Sequence, residues 1–345
     1  MRLPSLSKLL HLKSLSLDLL DKLEYMEDTT NETAPFTFFP SLEYLKISNM
    51  KDLKGWWKRE EITCNVWEPS FIKLSELNVY ICSKLASFPT CPTLEKLTLW
   101  GVSKELDIMS LGKEEELIKL RKVHIDKLDY LKSLPTESLT SLCIFGNDEL
   151  ESFSELGETI FKGCFSVRSL SIEFCCRLRS LNGGGWEHLT TLESLQLYWL
   201  PELKFSGREC DTENNDDDDN GIDDDGIPWS FFERRLRSLQ FTWLMSMKIL
   251  PKGMRYLTSL QDLELKYCEN LECLPEWISC LSSLRSLRIS CCTRFRLVSG
   301  HVRDLTSLQL LQVRNCPLVT ERFQDPEGDE WPNLRHVSTV DIRSD

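Results

Sequence analysis

Residues 209–225 (ECDTENNDDDDNGIDDD) hold ten carboxylates and no basic group. Carboxylates at this density are hard oxygen ligands, and Asp216, Asp218, Asn220 and Gly221 fit the opening of a calcium loop. The twelfth place of that loop needs a bidentate glutamate, but it is Ile227, and flanking helical patterns are missing. The stretch therefore reads as a solvated, disordered insertion spanning 206–228. Fourteen cysteines raise the question of metal or thiolate chemistry. The pairs Cys175-Cys176 and Cys291-Cys292 are not C-x-x-C, and Cys268 with Cys273 lacks a second pair at zinc spacing. They read as buried structural thiols. His11, His124, His188, His301 and His336 fall in no nucleophile motif. Gly183-Gly184-Gly185 reads as a turn without a following lysine, and G-x-x-x-x-G-K-(S/T) does not occur. The expectation is a chain that is not an enzyme, with no catalytic residue, cofactor or metal site of its own.

The remaining chemistry is that of contact. Large aromatic and charged side chains recur at alternate positions of short apolar segments: Tyr80, Trp100, His124, Phe145, Glu173, Tyr198, Trp199, Trp243, Lys266, Tyr267, Arg288 and Arg314. A wider set adds Tyr44, Lys46, Asn78, Thr98, Asp126, Phe174, Thr242 and Glu264. Aromatics exposed on a strand are costly unless covered, and aromatics with arginine typify binding hot spots. Alternatively, some of these rings tuck against neighbouring strands as a packed inner surface.

The segments that must position these side chains are copies of one pattern. In 257–295, Leu260, Leu263 and Leu265 precede Cys268, and Leu284, Leu287 and Ile289 precede Cys292. Leu308, Leu311, Val313 and Cys316 follow with the same 24-residue period. The pattern L-x-x-L-x-(L/I/V)-x-x-C-x-x-L is a leucine-rich repeat. First leucines fall at Leu12, Leu42, Leu74, Leu94, Leu120, Leu139, Val167, Leu192, Leu236, Leu260, Leu284, Leu308 and Leu334, or about thirteen irregular units. Each L-x-x-L-x-L makes a short strand with its apolar members inward. Stacked units predict a single α/β leucine-rich-repeat solenoid over 1–345. The expected form is a curved horseshoe with a parallel sheet on the concave face, irregular or short helical segments on the convex side, and a C-terminal cap at 317–345. Phe88-Pro89, Leu134-Pro135, Leu250-Pro251 and Leu274-Pro275 close units, and proline imposes an extended exit from each.

The totals agree with a binding module. The net charge of −13 is concentrated in the acidic insertion, whereas residues 233–314 carry thirteen Lys/Arg against seven Asp/Glu. The opening MRLPSLSKLLHLKSLSL reads as repeat rather than leader, and no apolar run is long enough to span a bilayer. With cysteines at repeat positions, the thiols are expected to be reduced and the protein cytoplasmic, with the nucleus as a second location. No membrane insertion and no nucleic-acid partner are expected.

The C-x-x-L-x-x-L-P variant resembles the repeats of plant intracellular nucleotide-binding leucine-rich-repeat (NB-LRR) resistance proteins. Cys316-Pro317-Leu318, Glu321-Arg322, Gly328-Asp329-Glu330-Trp331-Pro332 and Leu334-Arg335-His336-Val337 look like the closing signature of the coiled-coil subclass, with Phe323 where a second cysteine is usual. The resemblance covers essentially the whole chain but only the C-terminal repeat region of such a receptor. It implies recognition of a pathogen effector or a guarded host protein, or contact with the receptor's own nucleotide-binding domain, whose switch it would restrain. ADP/ATP would belong to that absent domain. A leucine-rich-repeat adaptor, such as a ubiquitin-ligase substrate receptor, is the alternative.

Overall fold

The computed structural model describes residues 9–27, 39–57, 71–111, 119–156, 161–183, 185–205, 226–323, 325 and 330–344. Residues 1–144 and 145–345 form two compact units. In the first, the strands Ser14–Asp18, Tyr44–Ser48, Glu76–Tyr80, Lys96–Trp100, Lys122–Ile125 and Ser141–Phe145 pair in that order, all parallel. Phe145, the last residue of the sixth strand, opens the second unit. There Ser169–Glu173, Ser194–Tyr198, Ser238–Thr242, Asp262–Lys266, Ser286–Ser290, Leu310–Arg314 and Thr339–Arg343 pair in parallel order. This is the leucine-rich-repeat solenoid, with one strand of the main sheet per repeat, short helical turns opposite in most repeats, and a second parallel pair, Tyr25–Glu27 with Gly55–Trp57, in the first two.

Register follows the leucines. Leu263 lies opposite Leu239 on one side and Leu287 on the other, and Leu265 lies between Phe241 and Ile289. These side chains are fully buried, as are the first leucines Leu236, Leu260 and Leu284. A one-residue slip would turn every buried leucine to solvent, so the apolar pattern fixes the register. The prolines take the place expected of them and add a function. Pro135, Pro251 and Pro275 sit at the N-caps of the 3₁₀ turns Thr136–Ser138, Lys252–Tyr256 and Glu276–Cys280. Their extended exits bring the chain back over the core, where Met254 and Ile278 close it from the far side.

Two groups of buried rings widen the core. Trp56 makes contact with Phe71 and Phe88 at 5.5 and 6.1 Å in the first unit. In the second, Trp186 meets Phe153, Phe161 and Phe232 at 5.9, 5.5 and 6.1 Å. The indole N–H of Trp186 donates to the Leu181 carbonyl at 2.8 Å. The glycine turn before it is structural: at Gly183 (φ +87°) a Cβ would lie 2.8 Å from the Ser154 Cα.

The acidic run lies outside the described residues up to 225. The last part of the expected insertion is ordered: Ile227 is fully buried and Pro228 caps the 3₁₀ turn Trp229–Phe232. The final repeat is shifted from the expected anchoring. Val340 and Ile342 pair with Leu311 and Val313, which puts Val337 in the first-leucine place. Leu334 instead ends the 3₁₀ turn Trp331–Leu334, where it is buried. Leu334 and Val337 are close enough in sequence for either apolar residue to carry the pattern, and strand pairing selects the later one.

The thiols at the repeat position are buried, as expected, whereas Cys176, which follows it, is exposed and Cys273 and Cys291 are half-buried. Each repeat-position thiol donates to the carbonyl two residues earlier: Cys82 to Tyr80, Cys175 to Glu173, Cys292 to Ser290 and Cys316 to Arg314, at 3.4 to 3.5 Å. Burial pushes the Cys82 thiol up to about 11 and that of Cys175 to about 12. For Cys292 the hydrogen bond with Cys268, with burial added, pushes the thiol to about 12. Thiols held this high are poor nucleophiles at neutral pH. Iodoacetamide at pH 8 is expected to alkylate exposed Cys176 and Cys280 in the folded protein, leaving Cys82, Cys175 and Cys292 unmodified until denaturant is added. Peptide mass spectrometry checks this. Leu287→Ala should cost about 2–5 kcal/mol, the range for buried leucine. Hydrogen exchange should place the loosening in the adjacent strands first, because repeats are held by their neighbours.

Candidate functional site

After every strand of the main sheet except Lys122–Ile125 and the last, the next residue adopts a left-handed conformation. In the first unit these are Leu19, Asn49, Ile81 and Gly101, at φ +52° to +62°. In the second they are Gly146, Phe174, Trp199, Trp243, Tyr267, Cys291 and Asn315, at φ +51° to +66°. The turn lets the backbone N–H of this residue reach the last carbonyl of the next strand. Trp199 donates to Thr242, Trp243 to Lys266, Tyr267 to Ser290 and Cys291 to Arg314, each at 2.9 Å. At Asp126 the acceptor changes: its carboxylate takes the Gly101 N–H at 2.7 Å. That bond explains why Asp126 is buried rather than presented on the surface.

This geometry divides the candidate residues into two rows. Tyr80, Trp100, Phe145, Glu173, Tyr198, Lys266 and Arg314 end their strands, with His124 and Arg288 at the middle outward position. All nine lie on the solvent side of the strands, and His124 is exposed. Trp199, Trp243 and Tyr267 do not share that face. They occupy the left-handed turn, one residue beyond the strand. Phe174 takes the equivalent place one repeat earlier.

The second row forms a ladder of rings. Trp199 and Trp243 lie 5.2 Å apart, and Trp243 stacks on Tyr267 at 4.3 Å with the planes 6° apart. Phe174 meets Tyr198 edge-on at 4.8 Å. Unlike the buried rings around Trp186, these stay in water: Phe174 is 42% exposed, Trp199 36% and Tyr267 38%. A left-handed conformation costs a residue with a Cβ roughly 1–2 kcal/mol relative to glycine. Four consecutive units carry that strain with bulky aromatics where glycine or asparagine fits freely. The rings also pair with one another, which supports part of their exposed area. In the first unit Tyr80 and Trp100 are register partners, and the Lys46 ammonium lies 5.5 Å from the Tyr80 ring.

The charges beside the ladder are mostly neutralised in place. Lys266 pairs with Glu264 at 2.7 Å, Arg288 with Asp262 at 3.7 Å, and Arg314 with Asp341 at 2.7 Å. Asp341 also accepts Gln312 and pairs with Arg343. The hydrogen bond from Arg314, helped by Gln312, holds the Asp341 carboxyl below its usual range. The basic excess of 233–314 is thus drawn into the sheet's own pairing at these positions. Glu173 is bonded to Ser171 at 2.5 Å but has no ion-pair partner among the described residues. Nor does exposed Glu269, two residues past Tyr267, which sequence reasoning passed over because it lies off the strand.

Among the described residues, no group of three or more His, Cys, Asp or Glu is arranged to hold a metal. No described helix is long and apolar enough to cross a membrane. Relief of turn strain gives a measurable contrast. Cys291→Asn is expected to raise stability by about 0.5–1 kcal/mol, since asparagine tolerates the left-handed region. Trp243→Asn should gain nothing, because a ring stack of about 0.5–1.5 kcal/mol is lost with it. Urea denaturation of the two variants checks the pair.

Comparisons with protein-family models and with curated proteins found no match. Solved structures of similar fold were found at low identity. A TLR13–ssRNA13 complex is 17% identical over 93% of this chain and 44% of that one, with a TM-score of 0.48. This chain therefore spans less than half the length of that receptor. The leucine-rich-repeat domain of the type III effector XopL is 16% identical, covering 72% of this chain and 75% of that one, with a TM-score of 0.45. An internalin from Listeria monocytogenes is 16% identical over 73% of this chain and 67% of that one, with a TM-score of 0.39.

Proposed function

We propose that this chain is a non-catalytic protein-recognition module, and that it serves plant innate immunity as the repeat region of an NB-LRR resistance protein. The observation that carries the first part is the ring ladder at strained turn positions, with Phe174, Trp199 and Tyr267 exposed and Trp243 half-buried between its neighbours. Rigid aromatics kept in water against conformational cost are a binding surface rather than a core feature. The immune role rests on the C-x-x-L-x-x-L-P repeats and the closing segment from Cys316 to Val337. In that segment Cys316 caps the helix Pro317–Arg322, and Phe323 packs edge-on against Trp331 at 5.2 Å. On this reading the protein works in the cytoplasm or nucleus, and its partner is a pathogen effector, a guarded host protein or the receptor's own nucleotide-binding domain.

Two experiments separate the parts. A photocrosslinking amino acid at Trp100, Tyr198 or Trp243 is expected to capture a protein partner in plant tissue, while the same group at exposed Glu276, on the opposite turn, captures none. Equal capture from both sides would reject the face. For the immune role, the transcript upstream of the Met1 codon is expected to carry an in-frame G-x-x-x-x-G-K-(S/T). A stop codon without that motif would put the adaptor reading ahead.

A further inference from the structure

The ladder's spacing and its flanking charge restrict what can lie on it. Resting on the recognition role above, we infer that the row Phe174–Trp199–Trp243–Tyr267 binds a proline-rich segment of a partner protein in the polyproline II conformation, with basic residues beside the prolines.

Pitch is the first argument. Ring separations of 5.2 and 4.3 Å bracket the spacing of about 4.8 Å between parallel strands. Two rungs therefore span about 9.6 Å. One turn of polyproline II, three residues at 3.1 Å, advances about 9.3 Å. Every third residue of such a peptide meets every second rung and stays in step along the row. An extended strand presents one face about every 6.6–6.8 Å and falls out of step within one repeat. An α-helix presents a face about every 5.4 Å and drifts as well. Proline rings also suit exposed aromatics, and their conformation is fixed before binding, which lowers the ordering cost.

Charge is the second argument. The nearby cations Lys266, Arg288 and Arg177 are held by Glu264, Asp262 and Glu151. Glu173 at one end and Glu269 at the other have no ion-pair partner among the described residues. Arg294, on the next repeat, lies beyond the last ring. The row thus offers two carboxylates, which attract Lys or Arg by ion pairing, beside the exposed parts of the Phe174, Trp199 and Tyr267 rings. The same carboxylates repel phosphate, which disfavours a single-stranded nucleic acid stacked on the rings.

The test uses the full chain and four synthetic probes, read by tryptophan fluorescence and calorimetry. (Arg-Pro-Pro)₄ is expected to bind. (Arg-Gly-Gly)₄ keeps the charge but loses the conformation, and (Glu-Pro-Pro)₄ keeps the conformation but reverses the charge. Both should bind at least tenfold more weakly. Oligouridylate should not bind. Trp243→Ala should weaken (Arg-Pro-Pro)₄ at least tenfold. Glu173→Gln with Glu269→Gln, which leaves the rings in place, should weaken it several-fold and flatten its salt dependence. Equal binding of the glycine or glutamate peptide, an undiminished affinity in the carboxylate variant, or binding of oligouridylate alone would overturn the inference. If no probe binds, the inference also falls, while crosslinking at Trp243 decides separately whether the face recognises protein.

Discussion

The structure depends on one backbone hydrogen bond made once per repeat, from the residue after a strand to the last carbonyl of the next strand. Making it requires that residue to turn left-handed, as Trp199, Trp243, Tyr267, Cys291 and Asn315 do in succession. The turn ends each strand after five residues and directs the following side chain into the core, where the repeat cysteine sits. The cysteine thiol then donates to the same carbonyl, so Lys266 accepts both the Trp243 N–H and the Cys268 thiol. A small side chain with one weak donor suits this place, since a larger one would collide with the incoming strand. Where the strand Lys122–Ile125 stops one residue early, Asp126 supplies a carboxylate as acceptor. The bond is kept even where its atoms are exchanged.

Because the constraint acts on the backbone, it leaves the side chain at the turn free to vary. Glycine at 101 and 146 and asparagine at 49 and 315 meet it at least cost. The run Phe174, Trp199, Trp243 and Tyr267 meets it at greater cost, with three of its rings exposed and Trp243 half-buried between two of them rather than in the core. Proteins depart from local preference chiefly where function demands it. The same molecule shows the contrasting case: Phe153, Phe161 and Trp186 are equally large, lie within 6 Å of one another and are fully or almost fully buried. Ring size alone does not separate a core from a binding row; exposure together with strain does.

The repeat was legible because its physical cause is a sequence period. Leucines three and two residues apart define the buried face of a five-residue strand, and twelve of the thirteen strands of the main sheet fall where that pattern places them. The last lies three residues later than its expected anchor. Leu334 and Val337 are both apolar, and only pairing with Leu310–Arg314 selects Val337. The side-chain rows were less legible. Alternation of period two holds within a strand and fails at its left-handed end, so Tyr198 and Trp199 could not be assigned to different rows from sequence alone. Asp126 was misplaced for a similar reason, because its acceptor role arises from a backbone N–H one repeat away. The pairing of Lys266, Arg288 and Arg314 was equally hidden. Their partners Glu264, Asp262 and Asp341 sit on the same or adjacent strands, and a count of basic residues gives no hint of it.

A ladder made this way is organised before any partner arrives. Each ring is carried by a backbone residue whose N–H is bonded to the next repeat, and Trp199, Trp243 and Tyr267 brace one another. Immobilising a flexible side chain at an interface costs about 0.5–1.5 kcal/mol, and much of that cost is met here during folding. The first unit has the same turns but places Leu19, Asn49, Ile81 and Gly101 in them, which build no comparable row. Its aromatics, Tyr80 and Trp100, end their strands instead and face outward from the sheet. One scaffold therefore presents aromatics in two ways, on the strand in both units and on the turn in the second. The second way is set by the hydrogen bond that joins the repeats, so the spacing of the recognition row is the spacing of the fold itself.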